Sequence, residues 1–432
     1  MADGAVDILK DKRAAARKAA YETPLEELQP ARASLFRDDA MWPTFERLRK
    51  EDPVHYTPDS NYGAYWSITK YNDILAVDSN HQVFSSAKGI TLTPKAAQGF
   101  RDPNNTATNF IAMDPPRHDV QRKTVSPAVS PHALSIMAPV IRERAGQILD
   151  SLPIGEDFDW VDLVSKELTT MTLATLFDFP FEERRKLTRW SDVMTTAPGF
   201  GPAADIGETR AMMAECFGYF TELWNQRVNA EPAGDLISML AHGADTRHMT
   251  QQEFHANVAL LIIGGNDTTR NTISGSVLAL NQNPDQYAKL RANPSLIPSM
   301  VSETIRWQTP LAHMARTATQ DFELGGKTIH EGDKVAMWYV SGNRDDTVIA
   351  NPDSYIIDRE RPRQHMSFGF GIHRCVGNRL AELQLTIIWE EIMKRFPEIK
   401  LLEEPKRSFS IFVKGYEEMK VCLLYTSPSP RD

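Results

Sequence analysis

Cysteine is scarce in this chain. Cys216, Cys375 and Cys422 are spread across 432 residues, too few and too far apart for a disulfide framework or a four-ligand zinc site. That usage fits a reducing cytoplasm. A basic block is missing too: 48 Lys and Arg stand against 57 Asp and Glu, a net charge of −9, so nothing recommends nucleic acid as a partner. Long apolar runs are absent; the strongest, Val258 to Ile263, falls far short of a membrane span. Residues 1–20 scatter Lys, Arg and Asp among alanines without an apolar stretch, so neither a signal peptide nor a membrane anchor is expected. No Gly-x-Gly-x-x-Gly follows a strand, and no phosphate loop appears. What the chain does have is 41% apolar residues, ample for a sizeable core.

Glycine is concentrated where it matters most, in Phe368-Gly369-Phe370-Gly371-Ile372-His373-Arg374-Cys375-Val376-Gly377. Two glycines free the backbone for a tight loop ahead of Cys375, and a third lies two residues past it. From Asn378 good helix formers follow with apolar residues at helical spacing. Cys375 is therefore expected where a glycine-rich loop meets a helix N-terminus. The positive helix end, with Arg374 and His373 beside it, favours thiolate over thiol. A lone thiolate on a rigid loop suits either a nucleophile or a single metal ligand.

A second landmark is one long helix. Thr250-Gln251-Gln252-Glu253 is a capping box, and the apolar periodicity continues to Asn283, where Pro284 stops it. At 1.5 Å per residue that is roughly 50 Å. Mid-helix lies Gly264-Gly265-Asn266-Asp267-Thr268-Thr269, where each glycine costs about 1 kcal/mol relative to alanine. Such a conflict between local preference and the surrounding element marks a functional site. Thr268 is placed to reach back to the carbonyl of Gly264 and open the helix there, and Asp267 in apolar surroundings needs a partner or water.

These residues carry a family resemblance. The loop resembles the haem-ligand loop of cytochrome P-450 monooxygenases, Phe-x-x-Gly-x-His-x-Cys-x-Gly, matched at Phe368, Gly371, His373, Cys375 and Gly377. The helix resembles that family's Gly-Gly-x-Asp-Thr segment. A buried packing cysteine is the commoner fate of a lone Cys, but five fixed positions in ten set that reading aside. The resemblance covers roughly residues 30–421. It implies a mainly α fold with small β-sheets: a polar N-terminal extension over 1–30, a single haem domain over 31–421, and a non-core tail over 422–432.

The rest of the reading is what the resemblance implies. The cofactor is haem b, with Cys375 as the iron ligand. Gly264, Phe368, His373 and Gly377 border it, and His118, Arg122 and Arg316 meet its propionates. Asp267 and Thr268 are the catalytic pair, delivering protons on the oxygen-binding side. Glu303 and Arg306, with Arg359 as third member, form a structural brace. Their Glu-x-x-Arg spacing recurs at four other places, so only its order along the chain selects them. The irregular stretch Ser85 to Asn109 is expected to form a lid. Ile90, Leu92, Ile263, Leu311, Ala312 and Met314 are the candidate substrate-pocket residues. The Gly/Pro-rich stretch Thr196 to Ala204 reads as a hinge between helices.

After the ligand helix only short strand-like segments remain, so electrons are expected from a separate ferredoxin and an NADH-linked ferredoxin reductase, with O2 as co-substrate. Within the family, the segments around Asp267, Arg306 and Cys375 look most like soluble bacterial alkane hydroxylases, which oxidise terminal methyls of medium-chain alkanes and fatty acids. The expected substrate is thus apolar and linear. Ala315 departs from that subgroup, where a second basic residue beside Arg316 is expected. Competing readings are a steroid or terpene hydroxylase with the same machinery, a peroxide-driven hydroxylase, which Asp267 and Thr268 argue against, and a non-catalytic haem-based sensor.

Overall fold

The computed structural model describes residues 2–98, 109–195 and 202–423. Most of the lid tip, residues 196–201 of the expected hinge and residues 424–432 of the tail lie outside the described residues.

Nine helices carry the argument: α1 (Tyr71–Ser79), α2 (Arg117–Val125), α3 (Pro131–Asp150), α4 (Glu167–Phe177), α5 (Arg185–Thr195), α6 (Ile206–Val228), α7 (Gln251–Gln282), α8 (Ile297–Gln308) and α9 (Asn378–Arg395). The long helix begins where its capping box predicts. Thr250 Oγ1 accepts from the Glu253 N–H, and Glu253 Oε2 accepts from the Thr250 N–H. It runs unbroken through the two glycines, so the Thr268 hydroxyl does not open it. Leu173 on α4 explains part of this. Its Cδ1 would lie 2.8 Å from a Cβ on Gly265, so glycine there admits α4 against the helix. The C-terminal half of α7 is buried all round, as expected of a helix through the middle of a core.

Small sheets flank the helical body. Eight strands matter here: β1 (Val54–Thr57), β2 (Tyr65–Ile68), β3 (Phe84–Ser85), β4 (Asp157–Asp159), β5 (Met314–Ala318), β6 (Lys334–Met337), β7 (Ile399–Leu401) and β8 (Lys420–Leu423). Five form one sheet in the order β1-β2-β6-β5-β3, with β2 and β6 parallel and the other pairs antiparallel. A second sheet has the order β4-β8-β7. The expected strand–turn–strand over 54–68 is the antiparallel pair β1 and β2.

The chain ends bring one addition and one correction. The expected N-terminal extension contains a helix, Ala2–Glu22, whose C-terminal half is tied to the domain. Arg13 pairs with Asp39 at 2.5 Å and Arg17 with Glu46 at 2.9 Å, while Arg47 Nη1 donates to the Ala20 carbonyl at 2.7 Å. At the other end, Cys422 and Leu423 belong to β8, not to a tail. Leu423 pairs with Ile399 and is fully buried. No single helix among the described residues is long and apolar enough to cross a membrane.

Candidate active site

The cysteine loop is built as its glycines predict. Gly369 and Gly371 hold φ of 66° and 65°, a region that costs other residues about 1–2 kcal/mol. Gly371 also packs so closely on the end of α1 that a Cβ would lie 2.8 Å from the Asp78 carbonyl oxygen. The turn closes when the Cys375 N–H donates to the Phe368 carbonyl at 2.8 Å. Three apolar residues of the loop then enter three separate apolar clusters. Phe368 packs against the cluster that contains Ile273 and Val277 of α7, Phe370 against the one with Met314 and Tyr339, and Val376 against the one with Phe110 and Ile262.

Burial reverses one expectation. Cys375 is open to contact yet surrounded by protein, and that desolvation pushes its thiol up. The Gly377 N–H, Arg122 and Arg374 pull it down but do not win. His373 adds no charge, since burial holds it neutral. A metal bound at the sulfur would deprotonate the thiol outright.

Beside the loop stand His118 and His373, both buried, their rings in edge contact at 4.4 Å. His118 Nδ1 lies 2.8 Å from Asp119, but its Nε2 and both ring nitrogens of His373 have no hydrogen-bond partner in the protein. Unpartnered buried nitrogens are costly. A carboxylate beside the two rings would accept the N–H that neutral His373 carries, so these residues fit the propionate edge of a haem. Arg122, one turn after His118, donates through Nη2 to the Arg374 carbonyl at 2.5 Å.

Arg316 is fully buried in β5 and held by a residue that sequence reading missed. Asp78, the penultimate residue of α1, accepts from Arg316 Nη2, the Tyr339 hydroxyl and the Phe370 N–H, each at 2.8 Å. One carboxylate thus ties β5 to the ligand loop. Nothing local announces it, because its partners lie more than 200 residues away.

On α7, Gly264 and Thr268 share the open face. A Cβ on Gly264 would meet nothing within 4 Å, and the Thr268 hydroxyl donates to the Gly264 carbonyl at 3.1 Å. Asp267 points the other way and is fully buried. Its partner is Arg270, whose Nη2 lies 2.8 Å from Asp267 Oδ1 and 2.5 Å from Asp192 Oδ1 on α5. Neither Asp267 oxygen has a partner aligned as a hydrogen bond. Desolvation, aided by Asp192, raises its pKa against the pull of Arg270. A carboxyl held above the ordinary range is suited to carrying a proton.

The brace is fully satisfied. Glu303 receives both Arg306 Nε and Nη2 at 2.7 Å, Arg359 Nε at 2.8 Å and the Ile356 N–H at 2.8 Å. Arg306 Nη1 donates onward to the Asn343 carbonyl at 2.9 Å. Asn343 in turn accepts from the Met366 N–H at 2.8 Å, at the entrance to the cysteine loop.

The six pocket candidates divide. Ile90, Leu311 and Met314 pack in one cluster, with Ile90 and Leu311 half-buried. Leu92 and Ala312 lie in another, buried among Phe36, Phe45 and Trp338. Ile263 is half-buried on α7 beside Gly264. Phe412, which the sequence did not single out, joins Ile90 and Leu311.

Comparison with known proteins agrees with this geometry. The cytochrome P450 family profile matches residues 210–423. A linalool 8-monooxygenase of Pseudomonas putida is 35% identical over 388 residues, spanning 88% of this chain and 95% of that protein. The chain is a cytochrome P450. This P450 is also 32% identical to a methyl-branched lipid omega-hydroxylase of Mycobacterium tuberculosis, over 89% of this chain and 91% of the relative. Its fold matches that of cytochrome P450-153 from Novosphingobium aromaticivorans with a TM-score of 0.84 and 46% identity, covering 91% of this chain and 99% of that one. It is thus a haem monooxygenase with omega-hydroxylases among its relatives.

Proposed function

We propose that this P450 hydroxylates the terminal methyl of a medium-chain alkane or fatty acid, with electrons from a separate ferredoxin and its NADH-linked reductase. The observation that carries the reading is the apolar group Ile90, Leu311, Met314 and Phe412, all but Met314 half-buried. It goes with 46% identity to a P450-153 and a relative named as a lipid omega-hydroxylase. A terminal C–H bond is stronger than its methylene neighbours, so terminal attack requires a narrow apolar channel that presents only the chain end. Each buried methylene adds about 0.8 kcal/mol, so a snug channel also measures length.

Haem, when bound, supplies an iron centre whose thiolate ligand favours O–O cleavage. Cys375 would be its ligand, and His118, His373, Arg122 and Arg316 would hold its acidic edge. The chain supplies the protons. Burial raises the pKa of Asp267, and Arg270 fixes that carboxyl at 2.8 Å. Thr268, one residue on and facing the open side, would present a proton from Oγ1. Gly264 keeps the space beside that hydroxyl clear.

A second reading, oxidation of a terpenoid alcohol, is favoured by 35% identity to a linalool 8-monooxygenase. Reconstitution with a ferredoxin and reductase, followed by gas chromatography of products from octane, dodecanoic acid and linalool, separates the two. Mainly terminal alcohols from the linear chains support the first. Internal alcohols, or turnover of linalool alone, overturn it. Cys375→His should abolish the thiolate-specific Soret band of the reduced CO complex; if the band stays, the ligand assignment falls.

A further inference from the structure

Three short segments meet beside the apolar group just described. The Ala315 N–H donates to the Ile90 carbonyl at 2.7 Å, and the Ala312 N–H to the Phe412 carbonyl at 2.8 Å. Leu311 and Val413 form an antiparallel bridge. Residues 311–315 are therefore the middle of a layer, with 90–92 on one flank and 411–413 on the other. Its two faces differ. On one, Ile90, Leu311 and Phe412 are half-buried and share a cluster, each from a different segment. On the other, Leu92, Ala312 and Ile411 are buried beneath Trp338.

His313 sits in this layer, fully buried, its ring 4.8 Å from Trp338 and 5.8 Å from Phe412. Its Nδ1 is 2.9 Å from the Ile411 carbonyl, and its Nε2 is 3.2 Å from the Leu92 nitrogen. A carbonyl only accepts and an amide N–H only donates. The tautomer is therefore fixed: Nδ1–H donates to Ile411, and the Nε2 lone pair accepts from Leu92. Backbone bonds tie each flank to the middle, whereas this single imidazole bonds both flanks at once. No charged form of the ring can do this, since an imidazolium has no lone pair for Leu92. Burial keeps it neutral, its pKa pushed down to about 4.

We propose that His313 is a positioning residue for specificity. By joining residues 90–92 to residues 411–413, it sets the spacing of Ile90 and Phe412 on either side of Leu311, and so the width of the opening through which a substrate presents its end. Shape alone does not supply this. A ring of the same size without its two nitrogens fills the layer yet leaves the Leu92 N–H and the Ile411 carbonyl unpaired, and both segments are then free to separate. The proposal rests on the reading of Ile90, Leu311 and Phe412 as pocket side chains.

The test compares His313→Phe, which keeps the ring and removes both bonds, with His313→Gln, whose amide oxygen reaches the Nε2 position and restores the acceptor for Leu92. Four measurements are made on haem-loaded protein: the reduced-CO band, hydrogen exchange of the peptide containing Leu92, spin-state titration with dodecane, and the alcohols formed from octane. His313→Phe should keep the thiolate band and exchange at Leu92 about tenfold faster or more. It should bind dodecane several-fold more weakly and raise the share of subterminal alcohols at least twofold. His313→Gln should recover most of the exchange protection. Unchanged Leu92 protection and an unchanged product ratio in His313→Phe would overturn the proposal. If that variant loses the thiolate band, His313→Gln decides by the same two readings: protected Leu92 with near-native products supports it, and loss of protection in a protein that keeps its band overturns it. Should the unmodified enzyme ignore linear chains, the substrate reading fails, while the exchange comparison still decides what His313 does.

Discussion

Gly371 and Gly377 both belong to the loop pattern, but their surroundings differ enough to predict opposite outcomes. Gly371 sits at φ 65°, and a Cβ there would lie 2.8 Å from the Asp78 carbonyl oxygen and 3.1 Å from the Ser79 Cα. Both obstacles are backbone, so neither swings aside. Gly371→Ala meets about 1–2 kcal/mol for the left-handed conformation and about 1–3 kcal/mol for displaced packing. Taking about 3 kcal/mol in all, the folded-to-unfolded ratio falls by roughly a hundredfold. Gly377 has φ −92° and nothing within 4 Å of an added Cβ, and alanine keeps the N–H that faces Cys375. Gly377→Ala should cost under about 1 kcal/mol. Urea unfolding followed by far-UV circular dichroism gives both values, and the reduced-CO spectrum reports the thiolate in each. Equal losses for the two variants, or a fully stable Gly371→Ala, would refute the steric reasoning.

The proton relay makes a kinetic prediction. Thr268→Ala should keep consuming NADH while diverting it to hydrogen peroxide, and Asp267→Asn should slow turnover without that diversion; wild-type coupling in both would place the relay elsewhere. Glu303→Ala strands the Arg306 and Arg359 side chains, of which Arg306 is fully buried. It should destabilise the fold by about 3–5 kcal/mol in urea titration, and a loss under 1 kcal/mol would contradict the brace. Acid should weaken the fold through His313. Its pKa of about 4 lies below the unfolded value near 6.5, so the unfolded chain binds more protons between these limits. The stability it contributes is complete above about pH 6.5 and falls as pH drops toward 4, by roughly 2 kcal/mol between pH 7.5 and 5. Asp78 and Asp267, raised by burial, slope the other way. The test is therefore the difference in slope between wild type and His313→Phe, which should be flatter by that amount.

What could be read in advance was local in the chain. Capping box, glycine pair and terminating proline marked α7 to within a residue, and the cysteine loop declared its own turn through Gly369 and Gly371. Pairings across the fold were not legible. Asp267 was seen to need a partner, and Arg270 stands one turn on along the same helix, but Asp192, which shares that guanidinium, lies on α5. Asp78 is one acidic residue among 57, given meaning only by Arg316 and Tyr339, which the fold brings to it. The upward shift of the Cys375 thiol was hidden for a related reason. Helix end and flanking arginines are visible along the sequence, whereas desolvation is a property of everything packed around the sulfur.

The cysteine loop has anchors in three apolar clusters at once, through Phe368, Phe370 and Val376. A disturbance in any one of them pulls on the same ten residues, and those residues carry the sulfur whose ligation would set where a loaded haem absorbs. Damage far from the haem therefore ought to show in the visible spectrum before the backbone melts. For an engineer this turns absorbance into a running gauge of packing quality: a library screened by eye for hue is screened, in effect, for the soundness of three cores.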